Sequence, residues 1–143
     1  MSENPNAPMN VDWMLDELVA GVDARCAVAL STDGLLIQKS AQISRDDADA
    51  LAALASSLSS VTAAASDRFS GGPVRQTIVE MQNQYLIVTA AGRNARLALV
   101  ADGNADLGLI GYEMNRLVKR VGQHLASQRR LTSAEAADGG LKV

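Results

Sequence analysis

Apolar residues along the chain change their spacing several times, and each change marks an element boundary. Val11, Met14, Leu15, Leu18 and Val22 recur in steps of three and four, the repeat of one helical face. Asn10 is placed to cap that helix, with Asp12, Asp16 and Glu17 near its positive end. Trp13 lies off the stripe, as a ring packed locally or as a second contact surface. Two short apolar runs follow, "CAVAL" and "LLI", and both read as buried strands. Between them stands Ser31-Thr32-Asp33-Gly34. Asp-Gly is a favoured pair for a two-residue type I′ turn, whose central residues both take positive φ. The pattern predicts a hairpin turning at Asp33 and Gly34, with Leu30 opposite Ile37.

Ser44 followed by Asp47 has the spacing of a helix cap, and helical spacing continues to about Ser66. Ala48, Leu51, Ala55, Leu58, Thr62 and Ala65 form a stripe that Leu54 and Val61 broaden. The opposite side is Ser56, Ser57, Ser59, Ser60, Ala63 and Ala64, with no charge between Asp49 and Asp67. An exposed helix face ordinarily carries Lys and Glu. A small, uncharged face suggests close approach by another surface, such as a second copy of the helix. The plainer reading is a solvent-facing helix in an alanine-rich chain. Spacing leaves open whether the wide stripe faces a sheet or a partner.

"SGGP" breaks the chain before three strands. "VRQTIVEM" mixes polar residues into a β-rich run, as an edge or near-edge strand does. "YLIVTAA" and "ARLALVA" are almost wholly apolar, as central strands covered on both faces are. A last helix, capped by Asn104 or Asp106, runs from Leu107 to about Leu125 on Leu107, Ile110, Met114, Leu117, Val118, Val121 and Leu125. The order α-β-β-α-β-β-β-α predicts an α+β domain over residues 10–125: a five-stranded antiparallel sheet with helices on both faces. Residues 1–9 and 126–143 read as flexible tails.

Composition narrows the chemistry. Hydrophobic residues are 48% of the chain and aromatics 3%, so Ala, Leu and Val must build the core. A net charge of −3 with few rings argues against a dedicated nucleic-acid binder. Polar residues interrupt every apolar run before membrane-span length, so no direct membrane insertion is expected. The first ten residues lack a basic-then-apolar leader pattern, and a cytoplasmic location is the expectation.

Cys26 sits inside an apolar run, as a small core residue does, and His124 at a helix end has no nucleophile or acid placed beside it. One His and one Cys far apart give no metal spacing. Asp46, Asp47 and Asp49 lie in a helix's first turn, where capping accounts for them. Gly71-Gly72 is followed by Pro73, and no Gly-Lys-Ser/Thr phosphate loop occurs. Arg25, Arg68, Arg75, Arg93 and Arg96 are candidates to reach a partner's phosphate, with surface solubility as the plainer reading of each. No catalytic residue, metal or cofactor is expected.

"DWMLDELVAGVDARCAVALSTDGLLI", "SRDDADALAALASSLSSV" and the stretch from "VRQTIVEM" to "MNRLVKRV" together resemble the Roadblock/dynein light-chain family. The likeness is to its bacterial MglB type, in the small actinobacterial form encoded beside a Ras-like GTPase. It implies a profilin-like Roadblock fold that homodimerises through the second helix and third strand. Carried onto this chain, the interface residues are Leu51, Leu54, Ser57, Leu58 and Val61, with Arg75, Thr77 and Ile78 on the strand. Asp33 and Gly34 match the family's hairpin turn. The implied function is a signalling regulator or scaffold of a small Ras-like GTPase, activating or nucleotide-state-dependent, with no catalysis of its own. Sensor-kinase-like and small accessory proteins are further implied partners, able to recruit the dimer to a membrane. Two alternatives stand beside it: a passive adaptor dimer in a membrane-sensor complex, and a small-molecule-sensing domain. The apolar central strands weigh against the second.

Overall fold

The computed structural model describes residues 12–121. These form α1 (Asp12–Val22), β1 (Cys26–Ser31), β2 (Leu36–Lys39), α2 (Arg45–Phe69), β3 (Gln76–Glu80), β4 (Gln84–Ala90), β5 (Ala95–Asp102) and α3 (107–121). The strand order is β2-β1-β5-β4-β3, every neighbouring pair antiparallel. This is the five-stranded α+β sandwich that the element order predicts. The readings of Asn10, Val11, His124, Leu125 and the two tails fall outside the described residues.

Alternation along each strand divides the core in two. Ala27, Ala29, Ile87, Leu97, Leu99 and Ala101 face α1 and α3, which bring Leu15, Leu18, Val19, Val22, Ile110, Met114 and Leu117. Val28, Leu30, Val88 and Ala98 face α2, which brings Ala48, Leu51, Ala52 and Ala55. Alanine on both sides of the second contact lets the helix backbone approach the sheet closely, so little aromatic volume is needed.

Caps set the helix limits. The Ser44 hydroxyl accepts the Asp47 N–H at 3.1 Å and starts α2, and Ser70, at φ 57°, ends it in the left-handed region. The helix therefore runs one turn past the Ser66 end expected from spacing. Asp106 rather than Asn104 caps α3, its carboxylate accepting the Leu109 N–H at 3.1 Å. By length and composition α2 is apolar enough to cross a membrane, contrary to the expectation that no stretch is. Its buried alanines and Leu51 make it a helix of the folded core. Fully buried Ser40 extends the β1–β2 pairing: its hydroxyl accepts the Ala27 N–H at 3.0 Å and its own N–H donates to the Ala27 carbonyl at 2.9 Å.

The β1–β2 turn departs from the two-residue form. Gly34 has φ 88° while Asp33 does not enter the positive-φ region. The Ser31 N–H donates to the Leu35 carbonyl at 2.9 Å and the Gly34 N–H to the Ser31 carbonyl at 3.0 Å, closing a three-residue loop. The register accordingly places Leu30 opposite Leu36, not Ile37, after an irregularity between Ala29 and Leu30. The Ser31 hydroxyl fixes this form by donating to the Asp33 carboxylate and accepting the Leu35 N–H at 3.2 Å. A Cβ on Gly34 would meet Ser56 at 3.3 Å in a conformation that L residues avoid. Gly34→Ala is therefore expected to cost about 1–2 kcal/mol in chemical denaturation, with the circular dichroism of the folded state unchanged.

Candidate functional site

The two faces of the sheet are covered unequally. Two helices lie on one face, whereas α2 alone lies on the other, mainly over β1, β2 and β5. On the α2 side, β3 and β4 keep Thr77, Val79 and Leu86 only half-buried. For β3 this agrees with its reading as an edge strand; β4 differs, because "YLIVTAA" reads as covered on both faces and Tyr85 and Leu86 in its first half are only half-buried. The second half of α2 stands off the sheet across a cleft, and no residue after Ala55 in this helix is buried.

The residues proposed for an interface divide by direction. Leu51 is 8% exposed and belongs to the core beneath α2, which corrects its placement on a contact surface. It lies in helical register with Ala48 and Ala55, so the sheet occupies that side. Leu58 is half-buried at the margin of the same cluster. Leu54 and Val61, 63% and 67% exposed, and exposed Ser57 point outward. Phe69 is exposed to 81% at the helix end. It was missed because the helix was expected to stop at Ser66, and the length of the apolar stripe was the available signal.

Thr77 and Ile78 lie on opposite faces. Thr77 pairs with Val88 on the α2 side, and Ile78 pairs with Ile87 on the α1–α3 side. Strand β3 is an open edge. The Ala90 N–H donates to the Arg75 carbonyl at 3.1 Å and the Met81 N–H to the Gln84 carbonyl at 2.9 Å. Odd-numbered residues thus direct their backbone to β4, leaving the N–H and C=O groups of Gln76, Ile78 and Glu80 at the outer edge.

Over the ends of β3, β4 and β5, the second half of α2 overhangs a cleft of about 680 Å³. Ser59, Thr62 and Ser66 line its roof, and Val88, Ala90 and Arg96 are among the residues beneath. Arg75 and Arg93 also line it. Elsewhere the chemistry is structural. Burial pushes the Cys26 thiol above its ordinary range, outweighing the opposing effects of a Val100 backbone hydrogen bond and the nearby Arg25 charge. Such a thiol is a poor nucleophile. Trp13 sits with the Arg120 guanidinium 5.4 Å from its ring centroid, bridging α1 and α3. Among the described residues no three His, Cys, Asp or Glu side chains are arranged to hold a metal.

The Roadblock/LC7 domain family model matches residues 11–101. A Roadblock/LC7 domain from Streptomyces avermitilis shares 42% identity, over 82% of this chain and 99% of its own, with a TM-score of 0.79. This chain belongs to the Roadblock/LC7 family. Myxococcus xanthus MglB has the same fold at 18% identity, with a TM-score of 0.76 over 82% of this chain and 95% of its own. Profilin IA from Acanthamoeba castellanii extends the fold likeness to profilins, at 13% identity and TM-score 0.56 over 80% and 98% of the two chains. No curated protein matches the sequence.

In this Roadblock domain, neighbouring leucines of α2 carry opposite roles. Leu51→Ala is expected to cost about 2–5 kcal/mol in denaturant unfolding. Leu54→Ala should stay within about 0.5 kcal/mol when both are compared at concentrations where the chain is monomeric.

Proposed function

We propose that this Roadblock chain acts as a homodimer that binds a small Ras-like GTPase and biases its switch regions. The observation that supports this most is the uncharged outer side of α2, presenting Leu54, Ser57 and Val61, together with the open β3 edge. A patch of this kind on a long helix marks a surface that another protein covers. The family's resemblance to the MglB type supplies the GTPase. Hydrolysis in such a complex uses the GTPase's own residues, repositioned by contact, so no arginine of this chain need enter the nucleotide site.

The open edge supports the dimer. Two β3 strands pairing antiparallel about a two-fold axis satisfy all three outward-facing residues in one register, with Ile78 opposite its counterpart and Gln76 opposite Glu80. The axis then runs through the sheet, and the two α2 helices lie on the same side of a continuous ten-stranded sheet. Opposed Cα atoms in such a hydrogen-bonded pair are about 5.5 Å apart, within the span of a disulfide. Ile78→Cys is therefore expected to give an intermolecular disulfide on mild oxidation, whereas Thr77→Cys, offset in that register, is not. Equal crosslinking of both, or of neither, contradicts the pairing.

The GTPase reading is tested by adding the purified chain to a Ras-like GTPase encoded beside it, loaded with GDP or with a non-hydrolysable GTP analogue. Binding to one nucleotide state at least about tenfold more tightly is the expected result, corresponding to roughly 1.4 kcal/mol, with turnover changed to match. Equal binding to both states with unchanged turnover indicates the adaptor. Absence of binding contradicts both readings.

A further inference from the structure

The geometry points to the cleft beneath the overhang of α2 as a binding site for a small phosphate-bearing molecule, held by Arg75, Arg93 and Arg96. The three come from separate places in the chain: the lead into β3, the β4–β5 turn, and β5 itself. Among the described residues, Arg25, Arg45, Arg116 and Arg120 each pair with a carboxylate. Arg68, Arg75, Arg93 and Arg96 form no such pair among the described residues, and the last three line one cleft. Asp67 is the only acidic residue of its wall. In a chain whose net charge is −3, this is a local excess of positive charge with no ion-pair partner among the described residues.

Arg96 sharpens the case. Its Nε is buried and has no hydrogen-bond partner. Buried N–H groups of folded proteins are normally satisfied, and a charged one has most to gain from an anion. Guanidinium forks match phosphate oxygens in pairs, and three of them around one pocket define a phosphate more closely than solvent-exposed lysines would. The hydroxyl of Ser59 adds a donor, while Val88 and Ala90 offer an apolar floor to whatever carries the phosphate. The volume of about 680 Å³ lies in the range of small-molecule sites.

The cleft adjoins the surface proposed for pairing, sharing Arg75, Gln76 and Thr77 with it, but opens on a different side of α2. Ser59, Thr62 and Ser66 continue the side of α2 that holds Ala48, Ala52 and Ala55 against the sheet, whereas Leu54, Ser57 and Val61 lie round the helix from it. Ligand binding here therefore does not depend on the GTPase reading, and it offers that dimer a second input.

Titration of the full chain with inorganic pyrophosphate, followed by calorimetry and by backbone amide NMR, tests the site. Saturable binding is expected, with shifts confined to residues 59–66, 75–77 and 88–96. Arg93→Gln, an exposed turn substitution that leaves the core intact, should weaken it at least tenfold. Arg96→Gln should do so as well, and Arg116→Gln on α3 should change it less than twofold. A phosphate-bearing ligand free in solution is distinguished from a lipid headgroup by vesicles: soluble pyrophosphate competes in both cases, but only a headgroup site brings the chain down with phosphoinositide-containing vesicles. Unsaturable binding, or equal weakening by Arg116→Gln, overturns the proposal. So does binding seen only in a variant that cannot dimerise, because a second copy then fills the cleft.

Discussion

Five strands spaced about 4.8 Å apart make a sheet roughly 24 Å wide, whereas one helix with its side chains covers about 10 Å, so each face needs two helices. The described residues bring three. Under α1 and α3, Ala27 and Ala29 of β1 and Leu99 and Ala101 of β5 are buried, while Ile78 of β3 on that side stays 48% exposed. The other face has α2 alone over β1, β2 and β5, and the β3–β4 half stays open. In the proposed pairing, a second copy across the β3 edge occupies the unpaired backbone groups and joins the two open halves into one surface flanked by both α2 helices.

That shortage explains the composition of α2. A helix that must pack on a sheet below and beside another helix has little room for long charged side chains. Its residues between Asp49 and Asp67 are Ala, Leu, Ser, Val and Thr. Several of its serines also satisfy themselves locally, as when Ser57 and Ser60 donate to carbonyls one turn back. Ser56 instead donates to the Thr32 carbonyl at 3.2 Å, tying the helix to the β1–β2 loop where Gly34 allows close approach. The same length that serves packing lets the second half of α2 roof the arginine cleft.

Element order and edge position were legible because they follow from local rules: the period of apolar residues, the Ser44 and Asp106 caps, and the polar mixture in "VRQTIVEM". Two things were not. The β1–β2 loop was read from the Asp33-Gly34 pair alone, but the side chain of Ser31 decided its form through bonds to Asp33 and Leu35. The assignment of Leu51 to a surface failed because a wide apolar stripe does not say which of its margins meets the sheet. Leu51 and Leu54 differ by less than one turn and end up on opposite sides of that margin. The cleft escaped notice for a related reason. Arg75, Arg93 and Arg96 are unremarkable singly, and only the return of β3, β4 and β5 beneath α2 brings them together.

The central claim is that the open β3 edge is paired by a second copy of the chain. Residue-resolved amide hydrogen exchange tests it directly, because Thr77 and Val79 direct their N–H groups to β4 and serve as internal controls. The account predicts that Ile78 and Glu80 are protected to a similar degree as those controls, and that their protection falls on dilution. Exchange of Ile78 and Glu80 at the rate of free amides at every concentration, with Thr77 and Val79 still protected, would contradict it.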